Sequence, residues 1–310
     1  MIITLTPNPA VDHTSIVDCL KVGTVNRFQY SYLDPAGKGI NVSRMVHRLG
    51  WPTIAFGFLA GELGVIVEKA LTDEGVDYHF VRIPGQTRLN TTIVERTSGT
   101  ATSLHGPGPA VDGEHIARLE NLLRFWLQAG RVLVLAGSLP PGVPTDIYAT
   151  YLHLAHAKGV KTILDADGEP LRRGVAARPY LIKPNVAEAE RLLGRALPDL
   201  PAVVDGAREL ARCFGAIVVI SMGAQGAVCI QGEKGWHAVP PAVERHSTVG
   251  SGDAMVAGLA VALARGDNIV EGLQMGTAAG AATAMTPGTA LGTVEDVAAL
   301  LPRVEIAELR

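Results

Sequence analysis

Charge is scarce in this sequence. Charged side chains are only 18% of it, and 27 Lys plus Arg against 30 Asp plus Glu leave a formal net charge of −3. No basic stripe occurs, so binding to nucleic acid through phosphate neutralisation is not expected. Cysteine is scarcer still. Cys19, Cys213 and Cys229 are odd in number and lack CxxC spacing, which excludes a disulfide framework and a zinc site. Core packing is the expectation for Cys213 and Cys229. No apolar run reaches 18 residues, so no membrane span is expected. The opening Met1-Ile-Ile-Thr-Leu-Thr6 has no basic lead, and Pro7 interrupts it, so it reads as a first strand rather than a signal peptide. Internal repeats and low-complexity linkers are also missing. These absences point to a soluble protein in a reducing, cytoplasmic setting.

Apolar material, by contrast, is ample. Hydrophobic residues are 47% of 310, enough for a large core, and by length alone the chain is one large domain or two. The runs Ile2–Thr6, Thr53–Leu59, Val132–Ala136, Thr162–Asp165, Tyr180–Ile182 and Ile217–Ser221 read as strands, several of them apolar throughout and so buried on both faces. Helical patterns lie between them, at Ile116–Gln128, Asp146–Ala157 and Val203–Cys213. Such alternation predicts an α/β fold with a mostly parallel central sheet flanked by helices. Ala254–Ala264 and Ile269–Met285 read as Ala- and Gly-rich helices whose small residues allow close packing.

Two segments break the alternation. Val25–Tyr32 places Phe28, Tyr30 and Tyr32 on one face and Arg27, Gln29 and Ser31 on the other. Thr91–Arg96, Thr97–Thr100 and Ala101–Leu104 read as a hairpin. Both are expected to form a second, smaller sheet, with its aromatic stripe either in the core or against another subunit.

Glycine concentrates in three places. In Thr248-Val-Gly-Ser-Gly-Asp253 a glycine turn opens a helix. Helix N-termini bind anions, and glycines let the backbone approach one closely. Asp253 could act as a base toward an attacking hydroxyl, or simply be an N-cap. Pro35-Ala-Gly-Lys-Gly-Ile-Asn41 resembles a phosphate loop but lacks the P-loop spacing; Lys38 could grip a ligand or be solvated. Ser221-Met-Gly-Ala-Gln-Gly226 follows a strand, as nucleotide loops and hairpins both do, and is not a GxGxxG fingerprint. Lys183-Pro-Asn-Val-Ala-Glu188 adds polar residues at a strand's C-terminal end, where α/β sheets bind ligands.

With Asn8-Pro-Ala-Val-Asp12, these motifs in this order resemble the ribokinase-like (PfkB) family of sugar kinases across the whole chain. The opening Thr6-Pro-Asn-Pro-Ala-Val-Asp12, Thr87-Arg-Leu-Asn90 and Gly137-Ser-Leu-Pro-Pro-Gly142 are most similar to its hexose-phosphate branch, that of fructose-1-phosphate and tagatose-6-phosphate kinases. The resemblance implies a single domain over 1–310 with a small β-sheet lid from about 11–35 and 86–106. It implies ATP-dependent phosphorylation of a ketohexose monophosphate, with fructose 1-phosphate the first choice and tagatose 6-phosphate or fructose 6-phosphate close behind. A plain sugar or nucleoside kinase is the further alternative.

Site roles follow from the same resemblance. Asp253 is the general base, and Gly250, Ser251 and Gly252 form the anion hole. Asp12, Gly37, Asn41 and Ser138 meet the sugar, while Arg27, Lys38 and Arg88 are the cations for its phosphate. Lys183, Asn185, Ser221, Gly223 and Gly226 bind ATP, and Asn185 with Glu188 organises Mg²⁺ through water. The lid is expected to make a homodimer contact. The chain departs from the family at Ser251, where alanine is usual, at Ala36, where glycine is common, and at Asp165-Ala-Asp167, so Asp167 receives no role.

Overall fold

The apolar runs pair into one sheet. A computed structural model describes residues 1–309. In chain order its strands are β1 (Ile2–Thr6), β2 (Ala10–Val17), β3 (Tyr30–Ala36), β4 (Thr53–Leu59), β5 (Asp77–Arg82), β6 (Arg88–Glu95), β7 (Ala101–Leu104), β8 (Val132–Ala136), β9 (Lys161–Asp165), β10 (Leu181–Ile182), β11 (Ile217–Ser221), β12 (Ala227–Gln231), β13 (Lys234–Val239) and β14 (Glu305–Leu309). The main sheet runs β14-β13-β12-β11-β10-β9-β8-β1-β4-β5. Pairing is parallel from β5 to β11 and antiparallel from β11 to β14.

Alternation along each strand feeds two cores. Ile3, Leu5, Leu133 and Leu135 join one with Leu119 and Leu123 of the Gly113–Trp126 helix. Ile2, Val132 and Val134 join the other with Val42, Met45 and the Ser251–Arg265 and Ile269–Ala284 helices. Both faces are covered, which is why these strands read as unbroken apolar runs. The chain leaves β1 toward β4 and β5, then returns to β8 on β1's other side. That reversal makes a switch point, and ligands bind beyond the carboxyl ends of strands there.

The second sheet runs β3-β2-β6-β7. One row of register partners is Leu33, His13, Thr91 and Leu104; the neighbouring row contains Asp34, Asp12 and Asn90. Partners in one row share a face. Thr289 Oγ1 donates to Asp34 Oδ2 at 2.7 Å, so the acidic row faces the body of the protein.

The strand expected over 25–32 begins only at Tyr30. Asn26 explains the shift. Its side chain accepts from Lys21 N and donates to Lys21 O, both at 2.9 Å, and locks the preceding segment into a turn. Phe28 and Arg27 therefore lie in a loop, and the three aromatics form no stripe. Tyr32 faces the body, where it abuts Gly288. Cys213 is exposed rather than packed; Cys229 alone of the three is buried, and all three are free.

Candidate active site

Asp253 sits in the first turn of the Ser251–Arg265 helix, but it does not cap it. Gly250 holds the cap position with φ of 79°, and no side chain caps the turn. The N-cap alternative therefore fails. The Asp253 carboxylate is buried and accepts a hydrogen bond from Asn41 Nδ2 at 2.9 Å through Oδ2. Burial, reinforced by the nearby Asp165 charge, raises its pKa to about 7 against the pull of Lys38, Asn41 and Lys183.

Asp165 ends β9 and is 1% exposed. Its Oδ1 lies 3.0 Å from Lys38 Nζ and 3.6 Å from Lys183 Nζ. Burial alone would raise its pKa, but the two ammonium groups hold it below the usual range. Lys38 Nζ is also 3.6 Å from Glu188 Oε1. Burial opposes its charge, yet Asp165, Glu188 and Asp253 together keep its pKa above the ordinary lysine value. Lys38 is thus neither a solvated surface lysine nor grouped with Arg88. Gly37, with φ of 131°, lets the chain pass Thr6: a Cβ there would fall 2.8 Å from Thr6 Cγ2.

Asn185 and Glu188 form a capping box at the start of the Val186–Leu193 helix. Asn185 Oδ1 accepts from Glu188 N, and Glu188 Oε2 accepts from Asn185 N. Ser221 closes β11, and the hairpin to β12 turns through Gly223–Gln225. Gly226 is needed there for close approach, since a Cβ would lie 1.8 Å from Ala238 O.

These segments meet in one cavity of about 590 Å³. Lys38, Asp165, Lys183, Asn185, Ser221, Gly223, Gly226, Ser251, Gly252 and Asp253 all line it. Lys183 is almost fully buried, and its Nζ would be 3.5 Å from a Cβ on Gly252. The cavity thus holds cations, a weakened acid and a helix N-terminus whose first amides have no intrahelical acceptor. That combination can receive phosphates and take a proton from a hydroxyl.

Asp12, Arg88 and Ser138 stand apart from this cavity, on the lid side. Asp12 accepts from Asn90 Nδ2 at 2.8 Å, and burial raises its pKa. Arg88 donates to Asn8 O at 2.9 Å and to Gly106 O at 3.2 Å. Ser138 is exposed, 3.4 Å from Asn8 Nδ2. Arg27 is exposed in its loop and bonds to no other described residue. The three expected phosphate cations are therefore not together: Lys38 joins the carboxylates, Arg88 the start of the small sheet beside Asn8 and Gly106, and Arg27 neither.

Asp165 and Asn8 are the residues that sequence reasoning left without a role. The signal for Asp165 was an acid ending a buried apolar run. Asn8, buried between β1 and the lid, donates to Pro107 O at 3.0 Å.

The profile described as pfkB family carbohydrate kinase matches residues 6–296. The 1-phosphofructokinase of Bacillus subtilis (strain 168) is 34% identical over 310 residues, 100% of each chain. That of Rhodobacter capsulatus is 37% identical over 309 residues, 99% of this chain and 98% of the relative. The solved phosphofructokinase-2 from Escherichia coli in complex with substrates and products has a TM-score of 0.93 at 32% identity, covering 97% of this chain and 98% of that one.

Proposed function

Because the chain belongs to the pfkB family of carbohydrate kinases, we propose that it transfers a phosphoryl group from ATP to fructose 1-phosphate, giving fructose 1,6-bisphosphate. It is an ATP-dependent sugar-phosphate kinase. The observation that carries the mechanism is Asp253, a buried carboxylate whose pKa of about 7 suits a base near neutrality.

In this reading the acceptor hydroxyl loses its proton to Asp253, which Asn41 holds in place. The amides of the turn at Gly250, Ser251 and Gly252 meet the oxygens of the moving phosphoryl group. Lys183 and Lys38 supply positive charge beside the nucleotide phosphates, with Ser221, Gly223 and Gly226 lining the nucleotide's part of the cavity. Asp12, Gly37 and Ser138 meet the sugar, and Arg88 its phosphate.

Mg²⁺ takes oxygen ligands, few from the protein and the rest from phosphates and water. Asp165 Oδ2 is buried and without a partner among the described residues, and Glu188 Oε1 lies close by near Lys38. Those two carboxylates fit the ion, held directly or through water. Asn185 Oδ1 is occupied as a helix cap. When bound, the ion neutralises charge building on the phosphates.

No described helix is long and apolar enough to cross a membrane. We place the enzyme in the cytoplasm, as a homodimer joined through the outer face of the lid.

An ADP-release assay across fructose 1-phosphate, fructose 6-phosphate, tagatose 6-phosphate, fructose and ribose tests the substrate. The highest kcat/KM is expected with fructose 1-phosphate. Preference for fructose or ribose would overturn the sugar-phosphate reading, and preference for another hexose phosphate would replace the acceptor.

A further inference from the structure

We propose that His105 is a specificity-determining residue, which with Arg88 holds the phosphate of the acceptor sugar. The inference rests on the sugar-phosphate kinase reading and deepens it.

A sugar phosphate carries close to two negative charges near neutrality. The inner face of the lid already presents Asp34 and Asp12. Lys38 is surrounded by three carboxylates, and Arg27 lies exposed in a loop outside the sheet. Of the three expected phosphate cations, Arg88 is the one that this chain places on the inner face of the lid.

The register brings a second hydrogen-bonding side chain to the same place. Arg88 and Asn90 are two apart on β6 and so share a face. Asp12 pairs with Asn90 in the parallel β2–β6 ladder. Thr91 pairs with Leu104 in the antiparallel β6–β7 ladder, so the next residue on the β7 side, His105, comes beside Asn90. Arg88 grips Gly106 O at 3.2 Å, which fixes the backbone directly after His105. Among residues of β2, β3, β6 and β7 that point inward, Arg88 is the only lysine, arginine or histidine, and His105 is the one just beyond.

Two further facts agree. Both His105 and Arg88 act electrostatically on Asp12, offsetting part of the effect of its burial. His105 is exposed and bonds to no other described residue, so its ring is available. Sequence reading missed it because a lone histidine after a four-residue strand carries no motif.

The test compares His105→Ala and His105→Lys with the unmodified enzyme. His105→Ala is expected to raise the KM for fructose 1-phosphate about tenfold, the effect of losing one charge-assisted bond at a partly solvated site. The KM for ATP, kcat and the melting temperature should stay close to wild type. His105→Lys should recover most of the affinity. Activity on unphosphorylated fructose should be unchanged in both variants. Equal losses on fructose and fructose 1-phosphate, or no loss on either, would overturn the assignment while leaving the kinase reading intact. A wild-type enzyme inactive on every phosphorylated sugar would overturn both.

Discussion

Asp253 is kept where a carboxylate is costly, buried and beside the charge of Asp165. Its pKa rises from 3.8 to about 7. The folded chain therefore holds this proton more tightly than the unfolded chain. The resulting stability is fully present below pH 4 and is lost as pH rises through about 7. Catalysis needs the opposite state. Asp253→Asn should lower kcat by ~10²–10⁴-fold and abolish a rise of kcat/KM centred near pH 7. It should also gain thermal stability relative to wild type as pH rises from 4 to 8, because the unfolded wild-type chain gives up this proton while the folded chain keeps it up to about pH 7. Wild-type turnover in the variant, with chemistry shown to be rate-limiting, would remove Asp253 from the mechanism. The acid at a glycine turn was legible in the sequence because the motif is local. Asp165 was not, since its meaning depends on Lys38 and Lys183, which arrive from distant segments.

The helices behind this turn show how closely the elements are packed. On Gly258 of the Ser251–Arg265 helix, a Cβ would fall 2.5 Å from Gly276 N and 2.6 Å from Gly276 Cα on the Ile269–Ala284 helix. Alanine gains about 1 kcal/mol over glycine in an exposed helix, but here the added methyl meets backbone that has no rotamer to move. The clash should win, and Gly258→Ala should lose ~1–3 kcal/mol, seen as a lower urea midpoint. A higher midpoint would mean that the helices have slack. The small-residue texture of both helices was readable, as were the apolar runs of β1, β4, β8 and β11. Strands β5 and β14 were not, because these two edge strands alternate weakly and carry charge. The strand expected from Val25 failed because a period of two over residues 28–32 cannot reveal that Asn26 ties the segment before it into a turn.

At the scale of the whole molecule, the lid shows different chemistry on its two faces. The inner row carries Asp34, Asp12 and Asn90, while the outer row carries Leu33 and Leu104, 49% and 64% exposed, with Leu89 beside it. The base of the outer face is covered by the body, where Val11 packs with Val67 and Leu71, and Ser15 and Val17 farther along β2 are buried as well. Exposed leucines across a four-stranded sheet suit a second copy of the same sheet, since a self-complementary patch closes a two-fold dimer. This moves the expected contact away from the aromatic stripe, because Tyr30 and Tyr32 lie on the inner side. Leu33→Asp should therefore convert a dimer to monomers by light scattering, a loss of ~2 kcal/mol or more if Leu33 is central to the contact. Tyr30→Asp should leave the mass unchanged. The inner face of the same strands carries Asp12 and Arg88, so losing the dimer should also raise the KM for the sugar phosphate and spare that for ATP. A wild-type mass of one chain at micromolar concentration would end the dimer reading. A dimer that survives Leu33→Asp would move the contact to another surface.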